Sequence, residues 1–346
     1  MHIVEQIKDN IQVTPFAGLT FRGLQGIEDC PLLLAVFTGS LQADKIVEKI
    51  SLESIARWYA PSDKFTPSRD ILIASVDGSN GEPPIVIGYS RVGWYTSGND
   101  IRLYYQDSFL LEEWRGKGIW QAMVRQNESR LRQIAADHPA TTHKFFQGWA
   151  ADTQLEWISV LESKNYQVVR RFHNMLHHLD KIPERLLPAE FAVRPVQPDH
   201  FRKIWETQKD INEGLFEYVA EDWTEEKYQA WRVNPSHTPH LWQVAWYGDQ
   251  VTGMVLTRIN EAENKARYRK LGYTEHIFVR QPWRNRGLAS ALIARSLTIL
   301  KAQGIDEAEL GVDAENESEA FGLYQRLGYK TESIDTWFRK PMGTAD

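Results

Sequence analysis

The chain has 346 residues, 42% hydrophobic and 25% charged, with a formal net charge of −6 and one cysteine, Cys30. This length suits two domains, each able to bury a core, while no apolar run approaches the roughly 20 residues of a membrane span and a lone thiol excludes an internal disulfide. The acidic balance lacks the Lys and Arg excess of a nucleic-acid-binding surface, and "MHIVEQIKDN" lacks the apolar core of a signal peptide, so a soluble cytoplasmic protein without nucleic-acid or membrane partners is expected.

Taken in chain order, "LTFRGLQGIEDCPLLLAVF" reads as a short strand ending at Arg22 and then a helix, and "SLESIARWYA" as a second helical segment. A hairpin follows in "ILIASVDGSNGEPPIVIGYSRVGW". "YYQDSFLLEEWRGKGIWQAMV" passes from strand to helix, with Ile119, Met123, Val124 and Leu131 on the apolar face and a stop before His138-Pro139. Next come strand and helix in "GWAADTQLEWISVLESKNY" and a last strand in "FHNMLHHL". Residues 181–190 carry two prolines and read as a linker between a first domain, 1–180, and a second, 191–346.

The second domain repeats the plan. "FAVRPVQPDHFRKIWETQ" gives strand and helix, "TEEKYQAWRV" a helix, and "LWQVAWYGDQVTGMVLTRI" a hairpin turning at Gly-Asp. "YTEHIFVRQPWRNRGLASALI" is again strand into helix, with Leu288, Leu292, Leu297 and Leu300 apolar and a stop at Gly304. Arg115-Gly116-Lys117-Gly118 lies under Arg284-Asn285-Arg286-Gly287, and residues 148–166 lie ungapped under 311–329 at almost the same displacement. Internal duplication of a whole domain accounts for this order. The expected fold class is α/β, a mixed sheet with helices on both faces, in two tandem copies.

Chemistry is expected at the strand-to-helix turn. A helix start leaves backbone N–H groups without partners at the positive end of the dipole. Gly287 lets an anion approach that backbone, and Arg284 and Arg286 add charged donors, a combination suited to a diphosphate. A dinucleotide fold would need G-x-G-x-x-G after its first strand, which is absent. No HExxH, CxxC pair, Walker loop or Gly-x-Ser-x-Gly elbow occurs. His177 and His178 are neighbours on a strand, face opposite ways and suit no common metal; no metal cofactor is expected.

With Val279, Arg284-x-x-Gly287-x-Ala289 and "VDAENESEAFGLYQRLGY" together, which gives Asn316, Ala320, Tyr324 and Gly328 at the superfamily's spacing, the sequence resembles the GNAT superfamily of acyl-CoA N-acyltransferases. The tandem layout is also similar to that of mycothiol synthases. The resemblance implies two tandem GNAT folds and an acetyl, or other short acyl, group carried by acetyl-CoA to the amine of a small molecule or peptide. It places Arg284, Asn285, Arg286, Gly287, Leu288 and Ala289 at the phosphates and Phe278 and Val279 at the pantetheine and acyl carbonyl. Asn316 would support the cofactor or cap the following helix. It puts a general base at Glu275, four residues before Val279, and the acid for the departing thiolate at Tyr324. Strand alternation puts Glu275, Ile277 and Val279 on one face and His276 on the other. Direct attack is expected rather than a covalent acyl-enzyme, since Cys30 lies outside the motif.

In the first copy Gln106 stands for Glu275, Leu161 for Tyr324, Thr153 for Asn316 and Trp120 for Ala289. A second coenzyme turn at Arg115, Gly116, Lys117 and Gly118 remains open. The expectation is a catalytic second domain and a degenerate first one, kept for structure or for unreacted coenzyme. The alternative is a non-catalytic acyl-CoA-binding or sensing module. The acceptor and the oligomeric state are not legible.

Overall fold

A computed structural model describes residues 18–46, 50–78, 82–97, 101–138, 143–213, 223–315 and 320–343. The chain forms two compact units, one from Met1–Thr96, Asp100–Val169 and Thr336–Asp346, the other from Ser97–Asn99 and Arg170–Asp335. No helix among the described residues is long and apolar enough to cross a membrane.

The first unit contains β1 (Leu19–Gly23), α1 (Cys30–Ala43), α2 (Leu52–Trp58), α3 (Pro67–Asp70), β2 (Ile71–Val76), β3 (Ile85–Ser97), β4 (Ile101–Leu110), α4 (Ile119–Ala136), β5 (His143–Ala151) and α5 (Leu155–Ser163). Its strands lie in the order β1-β2-β3-β4-β5, followed by residues 336–341 of the chain's last strand. Two apolar layers hold it. Ile87, Tyr104 and Phe146 pack with Met123, Val124 and Leu131 of α4. On the other face Ile71, Ile73 and Tyr89 pack with Leu33, Val36 and Phe37 of α1 and Ile55 of α2. These are the residues that the two strand and helix periodicities place inward.

The second unit contains most of β6 (Gln167–His178), then β7 (Ala192–Val193), α6 (Phe201–Asn212), α7 (Glu225–Arg232), β8 (Gln243–Tyr247), β9 (Gln250–Ile259), α8 (Glu261–Arg267), β10 (Leu271–Val279), α9 (Leu288–Ala302), β11 (Glu307–Asp313), α10 (Ala320–Arg326) and the first half of β12 (Lys330–Pro341). The order is β12-β6-β11-β10-β9-β8-β7. α9 and α10 cover one face through Leu288, Leu292, Leu297, Leu300 and Tyr324. Ile204 of α6, with Trp242, Val244, Trp246, Met254 and Leu256, forms the other layer. α9 ends where Gly304 turns left-handed at φ 77°, as its sequence position predicts. α8 was not expected; Asn260 caps it by accepting from the Glu263 N–H at 3.1 Å.

Each unit takes its closing strand from the other half of the sequence. Residues 170–178 pair antiparallel with β11, from Glu307↔His178 to Asp313↔Phe172. Residues 336–341 lie beside β5, where Arg339 Nε donates to Gln147 Oε1 at 2.9 Å. The compact units therefore differ from an uncut division at 1–180 and 191–346.

Candidate acyl-CoA site in the second unit

Two parallel strands open at the place where the chemistry was expected. β10 and β11 pair only at Leu271↔Glu307, Gly272↔Ala308 and Tyr273↔Glu309. Beyond that point β10 stays with β9 as far as Val279↔Gly253, and β11 stays with β6. The parting strands leave a gap beside the second half of β10. Arg280 N–H donates to Thr252 O on β9 at 2.8 Å. Alternation along an antiparallel pair then commits Phe278 to the β9 ladder and turns the N–H of Val279 toward the gap. Of the two residues expected at the pantetheine and acyl carbonyl, only Val279 offers its N–H there.

The turn that follows is built from two left-handed residues. Asn285 has φ 61° and Gly287 φ 80°. Such a turn brings successive N–H groups to one side, forming an anion nest. The first recorded bond closing α9 runs from Ala291 N–H to Gly287 O at 3.1 Å, so the amides of Leu288, Ala289 and Ser290 lie in the turn that has no intrahelical acceptors. A Cβ added to Gly287 would meet nothing within 4 Å. The cradle is open, and its form fits a diphosphate.

The arginines do different work. Arg284 Nε donates to Val279 O at 3.0 Å and staples the turn to the strand. Arg286 is half exposed, donates to Pro282 O at 3.2 Å and lies 3.4 Å from Glu190. The Leu288 side chain is buried in the core, so this residue offers backbone only. Ala289 packs partly buried against the same layer. A cavity of about 480 Å³ adjoins the turn, lined by Asp210, Ile211, Arg280, Gln281, Pro282, Trp283 and Arg284.

β10 is not a regular strand. Its register against β9 shifts between Glu275↔Leu256 and Phe278↔Met254, so three steps along β10 match two along β9. His276 sits in this bulge with φ 47°, a left-handed conformation unusual for a residue other than glycine. The bulge overturns the expected alternation. Leu256 and Met254 both belong to the α6 layer, so Glu275 and Phe278 face that side, while Val279 packs against Leu292 under α9. His276 is exposed and lies near enough to His237, in the connection from α7 to β8, for its charge to lower the pKa of that ring.

Glu275 keeps a 39% exposed side chain and is held by Arg258 of β9, with Nη2 to Oε1 at 2.9 Å and Nε to both oxygens at 3.3 Å. Burial opposes the Arg258 charge, but the bonds and charge of Glu275 outweigh it and raise the guanidinium above its ordinary value. Arg258 also lies 4.2 Å over the Tyr273 ring. Tyr324 of α10 is buried, and desolvation pushes its phenol up to about 12. It thus stays protonated at neutral pH. Asn316 lies outside the described residues.

The first unit keeps the turn and fills the slot. Gly116 and Gly118 are left-handed at φ 69° and 78°, and Arg115 Nε reaches Leu110 O at 3.3 Å as Arg284 reaches Val279. The rest of Arg115 is buried in a bidentate pair with Asp44 of α1, at 2.6 and 3.0 Å, with side chains 7% and 4% exposed. Lys117 lies 4.6 Å from the Trp114 ring. Trp120 and Trp157 are both buried, with ring centres 5.6 Å apart, and Leu161 presses toward Gly148. The remaining pocket measures about 230 Å³.

Gln106 is not the spatial counterpart of Glu275. It is 1% exposed, donates to Tyr166 OH at 2.7 Å and accepts from Asn127 of α4 at 2.9 Å. β4 alternates without a bulge: Tyr104 and Leu110 join the α4 layer, while Phe109 joins the α1 layer. On that second side Asp107 pairs with Arg91 at 2.9 Å. Sequence reasoning missed Arg258, His237 and the left-handed bulge at His276. Only the last had a local signal, since histidine is among the residues enriched in left-handed backbone.

The sequence model of the Acetyltransferase (GNAT) family matches residues 202–329, a range holding the gap, the bulge and the turn. The mycothiol acetyltransferase of Streptomyces coelicolor is 26% identical over 227 residues, covering 65% of this chain and 66% of that protein. Among solved structures, the GCN5-related N-acetyltransferase from Sphaerobacter thermophilus gives a TM-score of 0.73 at 22% identity, covering 96% of this chain and 98% of its own. The tandem GNAT protein from the clavulanic acid biosynthesis pathway gives 0.58 at 14% identity, covering 95% and 100%. Identities this low speak for the fold alone. Residues 202–329 thus carry the sequence pattern of the Acetyltransferase (GNAT) family, and the fold of the chain is like that of tandem GNAT proteins.

Proposed function

We propose that the second unit transfers an acetyl group from acetyl-CoA to the amine of a small-molecule or peptide acceptor, and that the first unit is a degenerate copy kept for structure. The open cradle at Asn285–Gly287, directly after a bulged strand bearing Glu275, carries this reading. The amides of residues 286–290 hold the diphosphate, and the pantetheine lies along the free edge of β10. The Val279 N–H donates to the thioester oxygen as it becomes an oxyanion. Glu275 draws in the acceptor's ammonium and assists loss of its proton. As the N–C bond forms and the C–S bond breaks, the phenol of Tyr324, kept protonated by a pKa of about 12, donates its O–H to the departing sulfur; transfer of that proton to a thiolate with an ordinary pKa of about 8.5 is uphill and is completed as the phenol is reprotonated from solvent.

Release of free thiol from acetyl-CoA, measured against a panel of amines, tests the proposal. Mycothiol lacking its acetyl group comes first in the panel, because the name of the homologous mycothiol acetyltransferases points to it. Turnover on at least one amine supports the reading. Tight binding of acetyl-CoA without turnover on any would replace it with the acyl-CoA-sensing alternative.

A further inference from the structure

Glu275 faces the α6 side of β10, His276 follows it in the bulge, and His237 lies within electrostatic reach of both; the proposed chemistry uses only Glu275. Glu275 already accepts from Arg258, which competes with an amine for its lone pairs. His276 beside it has no hydrogen-bond partner among the described residues, reaches solvent, and is kept in left-handed backbone, a conformation uncommon outside glycine. Strain of this kind persists where the surroundings over-determine it, commonly at functional sites. His237 packs edge-on to Trp231 and Trp242 at 5.0 and 5.3 Å, and its Nδ1 is buried without a partner. A proton on that nitrogen would be an unpaired buried donor, so the ring carries its proton on Nε2 and resists a second.

We infer that His276 accepts the proton of the acceptor's ammonium, with Glu275 holding that ammonium and His237 acting as a positioning residue beside the imidazole. The inference rests on the acetyl-transfer reading above. The N–H bond of the ammonium breaks, and its proton goes to the unprotonated ring nitrogen of His276. The freed lone pair forms the N–C bond, the C–S electrons leave on the thiolate, and Tyr324 supplies the thiolate's proton. The exposed imidazolium then returns its proton to water, and Tyr324 recovers one.

The surroundings suit that role. The His276 ring is reached by solvent yet hemmed in by protein atoms, and that desolvation lowers its pKa while the Glu275 carboxylate on its own strand partly restores it. Desolvation, then the His276 charge, lowers His237, and Glu275 again opposes. Arg258, reaching across from β9, is the remaining charge at Glu275. His276 is therefore the neutral base at pH 7, and activity is lost only as pH falls through its depressed pKa.

Two probe amines separate base catalysis from architecture in the full chain with acetyl-CoA. Benzylamine is protonated at neutral pH and needs a base; hydroxylamine is already unprotonated and does not. His276→Asn keeps a residue that tolerates left-handed backbone. It should lower benzylamine turnover roughly a hundredfold or more and leave hydroxylamine turnover within a few fold. In Glu275→Gln the acid limb of the benzylamine profile should survive at lower pH, since a charge that favoured imidazolium is gone. Equal losses on both amines, or no loss on either, would overturn the inference, as would an acid limb abolished in Glu275→Gln and retained in His276→Asn. A wild-type protein that binds acetyl-CoA but turns over neither these two amines nor any other in the panel overturns the acetyl-transfer reading itself, and this inference with it.

Discussion

Replacing Gly287 by alanine separates ligand binding from folding, because the structure supplies its own control. Gly287 and Gly304 bracket the same helix, α9, with φ of 80° and 77°, and an added Cβ meets nothing within 4 Å at either site. Both substitutions therefore carry the same penalty, the left-handed strain of about 1–2 kcal/mol, with no clash to add to it. For a unit of this size that corresponds to a fall in Tm of roughly 2–8 °C. Only at Gly287 does the new methyl group stand over the nest of amides. A hydrogen bond to a charged group contributes about 1.5–3 kcal/mol, so losing one or two to the diphosphate weakens coenzyme A binding by roughly 10- to 100-fold or more. Calorimetric titration of each variant with coenzyme A, beside its melting curve, gives both quantities. The expected result is matched destabilisation with affinity lost in Gly287→Ala alone. Equal affinities in the two variants would show that the diphosphate does not sit on this turn.

Other outcomes follow from single side chains. Tyr324→Phe should lower kcat roughly 10- to 100-fold while leaving the coenzyme A Kd unchanged; unchanged turnover would remove Tyr324 from the reaction. The same residue sets an alkaline limit. Its folded pKa of about 12 stands above an unfolded value near 10, so its contribution is complete below pH 10 and is lost as pH rises toward 12. Two units amount to roughly 2–3 kcal/mol, and melting curves from pH 9 to 12 should fall less steeply in Tyr324→Phe. Arg115→Met, which strands Asp44 in the first unit, should cost about 3–5 kcal/mol of stability. Coenzyme A titration of the folded variant should show the affinity unaltered, because Arg115 is paired with Asp44 of α1 and not aimed at a phosphate.

What could be read from the sequence was local. The turn at Arg284–Gly287, α9 with its four inward leucines, and the stop at Gly304 each depend on residues a few positions apart, and each is where the pattern puts it. Asn260 and Glu263 formed an equally local start signal for α8, visible in the sequence and passed over. The rest depends on partners far along the chain. Arg258 meets Glu275 only after β9 and β10 pair. The choice of closing strand is less legible still, because an alternating strand carries no mark of which unit it will complete. Residues 170–178 and 336–341 read equally well in either.

The bulge explains why two copies of one plan present different side chains at the same aligned position. Side chains along a strand alternate with a period of two, so one extra residue moves every later side chain to the opposite face. Aligned by sequence, Gln106 and Glu275 are equivalent. In the folded units the unbulged β4 turns Gln106 inward to Asn127 and Tyr166, while β10 turns Glu275 to the α6 side. A Gln106→Glu change would consequently not restore a base to the first copy. It would bury a carboxylate among Asn127, Ser108 and Tyr166, at a cost of several kcal/mol unless it protonated. Reactivating that copy would require an inserted residue in β4 together with removal of Trp120. The difference between the halves lies first in the register of a strand and only then in the identity of a side chain.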